Sequence, residues 1–272
     1  MNAGNDKNGA RRVEAVAASK LESSQPACHA GAPPVARVSL RREGMASRAH
    51  RPSGRRGFGA VLLDLDGCLI DSNDAHARAW QRALERFGHR VAFRRLRLQI
   101  GKGGRELLRD FVRPAEHHFL ADAMGAVQTR LYLARFDRDV RPFSGAAAAV
   151  RGMRRAGLPV VIASSADRRA LERALRLLRL ADAITGFTCA DDVRKAKPFH
   201  DVFSLAIRRF RLGGRRPVAV GDTPYDVAAA HQLGLPCVGL LSGGFPPRSL
   251  ASAEAVYEGV ADLWRRGRER FA

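Results

Sequence analysis

The residues best equipped for chemistry in this chain are acids set in pairs. Asp64-Leu65-Asp66-Gly67 and Asp222-Thr223-Pro224-Tyr225-Asp226 each hold two carboxylates a few positions apart. On an extended segment, residues two apart point to the same side. A carboxylate serves as a nucleophile, as a general acid or base, or as an oxygen ligand for a hard divalent cation. Ser164-Ser165 offers hydroxyls, and Lys197-Pro198 offers a compact positive charge suited to phosphate. Lysine is scarce, at five against 42 arginines, so its position beside a proline carries weight. Each signal also has a plainer reading. Asp-Gly is a common turn pair, Asp222 suits a helix start, and Asp226 reads as a solvated surface acid. Ser164 suits an N-cap, and a lysine is usually solvated.

The surrounding pattern puts the acidic pairs and Ser164-Ser165 at the ends of strands, and Lys197-Pro198 on a loop before a helix. Gly59–Leu63 is a short apolar run bounded by a turn signal, as in a buried parallel strand. Further strands are expected at 158–163, 183–189, 217–221 and 237–241, the last clear one. Helices are expected between them at 146–156, 167–178, 199–210 and 225–233. This alternation predicts a doubly wound, Rossmann-like parallel sheet with helices on both faces. Ligands of such sheets bind beyond the carboxyl ends of the strands. Two acidic pairs, a hydroxyl and a lysine would converge there. Residues 73–87, 104–112 and 116–136 read as helices with no convincing strand among them, an all-helical insertion. The expected division is a disordered basic tail at 1–57, an α/β core at 58–72 and 142–272, and a helical cap at 73–141.

In order, spacing and strand-end context, the four segments resemble the motifs of haloacid dehalogenase-like phosphohydrolases, from Phe58 to about Leu241. The insertion after the first motif is similar to the cap of the subgroup that contains phosphoglycolate phosphatases and β-phosphoglucomutase. The resemblance implies a magnesium-dependent phosphatase of small phosphorylated metabolites. In it Asp64 takes the phosphoryl group as an aspartyl-phosphate, and Asp66 protonates the leaving oxygen and later deprotonates water. Magnesium would be held by Asp64, Asp222 and the backbone carbonyl of Asp66, with Asp226 acting through water. Ser164 and Lys197 would contact the phosphoryl group. The cap loop Ile100-Gly101-Lys102-Gly103-Gly104-Arg105 would bring Lys102 and Arg105 to the substrate, and His76 is a further candidate; otherwise that run is an ordinary interhelical loop. Asp66 separates this pattern from hydrolytic dehalogenases, which lack the second Asp. Phe199-His200 depart from the small residues or proline usual before Asp201. A phosphosugar mutase of the β-phosphoglucomutase kind shares every core motif and is the alternative enzyme.

Composition narrows the remaining classes. No run approaches the roughly 20 apolar residues of a membrane span, and no signal-type segment opens the chain. Cys28, Cys68, Cys189 and Cys237 are scattered and read as free thiols of a cytoplasmic protein, monomer or homodimer. The net charge of +20 suits a polyanion partner. The arginines are spread over the whole chain without a nucleic-acid-binding signature, so a non-catalytic nucleic-acid-binding or regulatory role is the alternative from another class.

Overall fold

In this computed structural model the described residues are 57–136, 138 and 140–271. The expected basic tail lies outside them except for Gly57. Four-residue strand β1, Ala60–Leu63, is fully buried, as its apolar run requires. It is followed by β2, Ile70–Asp71, and then by the helical insertion. The insertion comprises α1 (Asn73–Arg86), α2 (Phe93–Arg97), α3 (Gly104–Leu108) and α4 (Pro114–Leu131), with a turn of wider π-type helix over Tyr132–Phe136. The chain returns through β3, Arg141–Pro142, which pairs antiparallel with β2. It then alternates through α5 (Ala146–Arg155), β4 (Val160–Ala163), α6 (Arg168–Leu178), β5 (Gly186–Thr188), α7 (Asp201–Arg209), β6 (Pro217–Gly221), α8 (Pro224–His231), β7 (Cys237–Leu240), β8 (Ala255–Tyr257) and α9 (Val260–Arg266).

The main sheet has the order β5-β4-β1-β6-β7-β8 and is parallel throughout. Side chains alternate across it. Val61 and Leu63 of β1 join one core with Val160, Ile162, Val218 and Val220. Ala60 and Leu62 join the other with Val161, Ala163, Ala219 and Phe203. The chain runs from β1 to β4 on one side and later to β6 on the other. The order therefore reverses at β1, where open α/β sheets leave a crevice. Register levels the strand ends there: Leu63 lies beside both Ile162 and Val220.

Several boundaries differ from those expected, for local reasons. The helix expected at 104–112 ends at Leu108, and it does not run on into the next helix, since Arg113 precedes Pro114 and is extended (ψ 147°). Pro114 itself opens α4, two residues before the expected start, as a fixed φ allows at the first helical position. The short α2 has one buried residue, Leu96, too little to make a period. Past the strand expected to be last, β8 and α9 complete the sheet edge. Of the strand expected at 183–189, only Gly186–Thr188 pairs in the sheet, with Cys189 extended beyond it.

Candidate active site

The backbone delivers the first acidic pair. Asp64 N–H donates to Val220 O at 2.9 Å, continuing the β1–β6 pairing to the last residue before the turn. Gly67 then turns the chain with φ +73°, a conformation a side chain resists. A Cβ there would lie 2.1 Å from Asp222 Oδ2, and one at Gly243 would lie 1.6 Å from the same atom. Two glycines thus make room for one carboxylate.

Asp64, Asp222, Asp226 and Lys197 meet in one buried cluster. Lys197 Nζ lies 2.8 Å from Asp64 Oδ1 and 2.7 Å from Asp226 Oδ1. Lys197 is 0% exposed, as are Asp222 and Asp226, while Asp64 is 3% exposed. The lysine is therefore not a solvated charge. It is locked between two acids behind the cavity. Burial lowers its affinity for the proton, but Asp226 and Asp64 outweigh this and raise its pKa above the usual value. Burial, with Asp226 adding and Lys197 opposing, pushes the Asp64 carboxyl up to about 7. Burial and then the Asp226 and Asp64 charges drive Asp222 well above the usual carboxylate range.

Asp222 has no cation beside it among the described residues. Its Oδ1 accepts from Cys68 Sγ at 3.4 Å and its Oδ2 from Asn73 Nδ2 at 3.0 Å. Asn73 Nδ2 also donates to Gly243 O at 3.1 Å. Ligand atoms of Asp64, Cys68 and Asp222 lie within 4.8 Å of one another, all buried. Three buried carboxylates thus gather around one lysine, which contacts only Asp64 and Asp226 and leaves Asp222 without a countercharge among the described residues. That imbalance, with oxygen donors prevailing, fits a hard divalent cation.

Asp66 has different surroundings. Its Oδ1 accepts from Ser72 Oγ at 2.5 Å and lies 3.1 Å from His76 Nε2. Burial raises its pKa, but His76 and Ser72 prevail and hold it below the usual carboxylate range. Gln128 lies 3.1 Å from His76 Nδ1, and the imidazole stacks on Tyr132 at 3.9 Å. The insertion therefore grips one of the strand-end acids. The sequence gives no signal for Asn73, Cys68, Ser72 or Gln128, whose partners are mostly far away in the chain.

Ser164, at the end of β4, is buried and accepts from Ala166 N–H at 3.0 Å through its Oγ. It is not the N-cap of α6. That role belongs to Asp167, whose carboxylate accepts from Ala170 N–H at 3.0 Å. Asp226 likewise completes a capping box at the start of α8, accepting from Thr223 N–H at 3.1 Å and from Thr223 Oγ1 at 2.6 Å. Its structural and site positions coincide.

Of these groups, Asp64, Asp66 and Ser164 form the floor of a cavity of about 810 Å³ between the strand ends and the insertion. Asp64, Asp66, Ser164, Lys102 and Arg105 all line it. Lys102 and Arg105 are already engaged, Lys102 Nζ with Asp110 Oδ2 at 2.6 Å and Arg105 Nη2 with Asp122 Oδ2 at 2.7 Å. Gly103 N–H donates to Lys197 O at 2.9 Å, and Tyr225 OH donates to Leu98 O at 2.6 Å. The insertion thus rests on the loops that carry Lys197 and the second acidic pair.

The family model of haloacid dehalogenase-like hydrolases matches residues 58–234. The chain belongs to this family. A validoxylamine A 7′-phosphate phosphatase from Streptomyces hygroscopicus subsp. limoneus is 25% identical over 76% of this chain and 96% of its own length. A phosphoglycolate phosphatase from Yersinia pseudotuberculosis is 30% identical over 75% of this chain and 90% of its own length. The crystal structure of a hydrolase from Pseudomonas syringae superposes with a TM-score of 0.72, at 27% identity, over 79% of this chain and all of that one. Among the described residues, no helix is long and apolar enough to cross a membrane.

Proposed function

We propose that this haloacid dehalogenase-like hydrolase is a magnesium-dependent phosphatase of a small phosphate monoester, of the phosphoglycolate or sugar-phosphate type. The observation that carries the reading is the pairing of Asp64 and Asp66 on one cavity floor in opposite environments. Asp64 stands against a lysine and further buried acids. Asp66 is held by two hydrogen-bonding groups from the start of the insertion. Relatives named as phosphatases support it.

Asp64 Oδ attacks phosphorus, the bond to the leaving oxygen breaks, and an aspartyl-phosphate forms. Asp66 relays to that oxygen the proton that a monoanionic phosphate monoester brings with it. Water then attacks phosphorus, Asp66 takes the water proton, and the bond to Asp64 breaks to release phosphate. Ser72 and His76 favour the ionised form of Asp66, which the second half of the cycle needs. Lys197 keeps Asp64 aligned and offsets the charge of Asp226. The side chains of Asp64 and Asp222 and the Asp66 carbonyl would hold Mg2+, which when bound offsets charge where phosphate meets carboxylate. Ser164, which lines the same cavity, would donate to a phosphoryl oxygen.

The test is phosphate release from a panel of monoesters with and without Mg2+, beside Asp64→Asn. Turnover is expected to need the metal and to fall at least about 1,000-fold in the variant. Acid-quenched protein is expected to carry a phosphoryl adduct that the variant lacks. Equal release by the native protein and the variant would sink the proposal.

A further inference from the structure

The cavity is much larger than a phosphoryl group needs, at about 810 Å³. Its charged lining is uneven in a way the four family motifs do not explain. Arg130, Arg169 and Arg194 all line it and are exposed. None of their guanidinium groups has a hydrogen bond or ion pair among the described residues. The other cations of the lining are committed, Lys102 to Asp110 and Arg105 to Asp122. Acids near the three arginines are also occupied. Asp167 caps α6 and accepts from Thr129 Oγ1 at 2.6 Å, and Asp191 accepts from Arg168 N–H at 2.7 Å. Arg130 lies in the last turn of α4 on the insertion, Arg169 sits in the first turn of α6, and Arg194 lies on the loop before Lys197. A ligand reaching all three spans both walls of the cavity.

We propose that these arginines form a second anion subsite, so that the substrate is a phosphate monoester bearing a further carboxylate or phosphate group. The assignment rests on the phosphatase reading for the first phosphoryl group. An arginine fork binds carboxylate and phosphate alike, often in a bidentate fashion. With its far end held, the substrate presents its reacting phosphoryl group to Asp64, and unused guanidinium groups become the specificity element.

Two matched pairs test this: glycerol 3-phosphate against 3-phosphoglycerate, and fructose 6-phosphate against fructose 1,6-bisphosphate. With the full chain and Mg2+, kcat/KM is expected to favour the second member of at least one pair by about 10- to 100-fold, mostly through KM. The pair concerned separates carboxylate from phosphate. In the variant Arg130→Gln/Arg169→Gln, and more weakly in Arg194→Gln, the preference is expected to vanish. Hydrolysis of p-nitrophenyl phosphate should stay within about twofold of native. Equal native rates within both pairs, or an equal loss on p-nitrophenyl phosphate, would overturn the subsite while leaving the phosphatase reading intact. If no ester turns over, calorimetry on the native protein separates the two ideas. About tenfold tighter binding of the bisphosphate than the monophosphate, lost in the double variant, upholds the subsite without the phosphatase; equal binding overturns it.

Discussion

The acids of the site differ in what surrounds them more than in sequence. Asp64 and Asp66 are two residues apart, yet burial and neighbouring acids push one carboxyl up to about 7 while His76 and Ser72 hold the other below the usual range. For Asp64 the folded value exceeds the unfolded value of 3.8, so its favourable contribution is full below about pH 4 and is lost as pH rises through about 7. Metal-free protein is expected to melt at a lower temperature at pH 8 than at pH 5, and added Mg2+ to restore more at pH 8. Thermal melts with chelator or metal check this, and a profile that rises from pH 5 to 8 in chelator contradicts it. Lys197→Met leaves two buried acids without their shared cation, with an expected loss of about 3–5 kcal/mol in denaturant unfolding. Lys197→Arg should not restore it, because a planar fork does not reproduce a point charge between two carboxylates. The motif acids and the lysine were legible because strand ends and spacing fix them. His76 was legible only as a candidate, since Asp66 lies ten residues back and Gln128 52 residues on, contacts that only folding creates.

At the scale of elements, long periodic segments were legible and short ones were not. The helices at 146–155 and 168–178 bury clean apolar stripes that name their boundaries to within a residue or so. Helix α2 and strand β8 are five and three residues long, and their place is set by neighbours they lean on. Asp167 joins two elements at once, capping α6 and receiving Thr129 from α4. Asp167→Ala is expected to cost about 1 kcal/mol for the cap and somewhat more for the lost contact. Thr129→Val removes only the second part, so the difference between the two in chemical denaturation isolates the cap. Equal losses would show that Asp167 stabilises α6 through Thr129 alone.

Across the whole molecule, the charge of +20 meets a reaction whose substrate and product are anions. Summed positive potential raises encounter rates with anions and is screened by salt over roughly 10 Å at 0.1 M. kcat/KM for a phosphate monoester is expected to fall several-fold between low salt and about 0.5 M, with kcat changed little. A flat salt profile would remove the field from the account of substrate capture. The abundance of arginine was plain in the sequence, whereas which arginines reach the cavity depended on how the helices and loops are placed around it.

The two-stranded ribbon at the root of the insertion has a consequence for how such a molecule could change over time. Ile70 pairs with Pro142 and Asp71 with Arg141, so the stretch between them leaves and rejoins the sheet domain at one doorway. In outline, a short hairpin turn could replace it without rerouting a single strand, which makes the segment a module open to exchange or growth. Asn73 and His76 temper that freedom. They lie just inside the doorway and hold Asp222 and Asp66, so any replacement module would have to bring its own two hands.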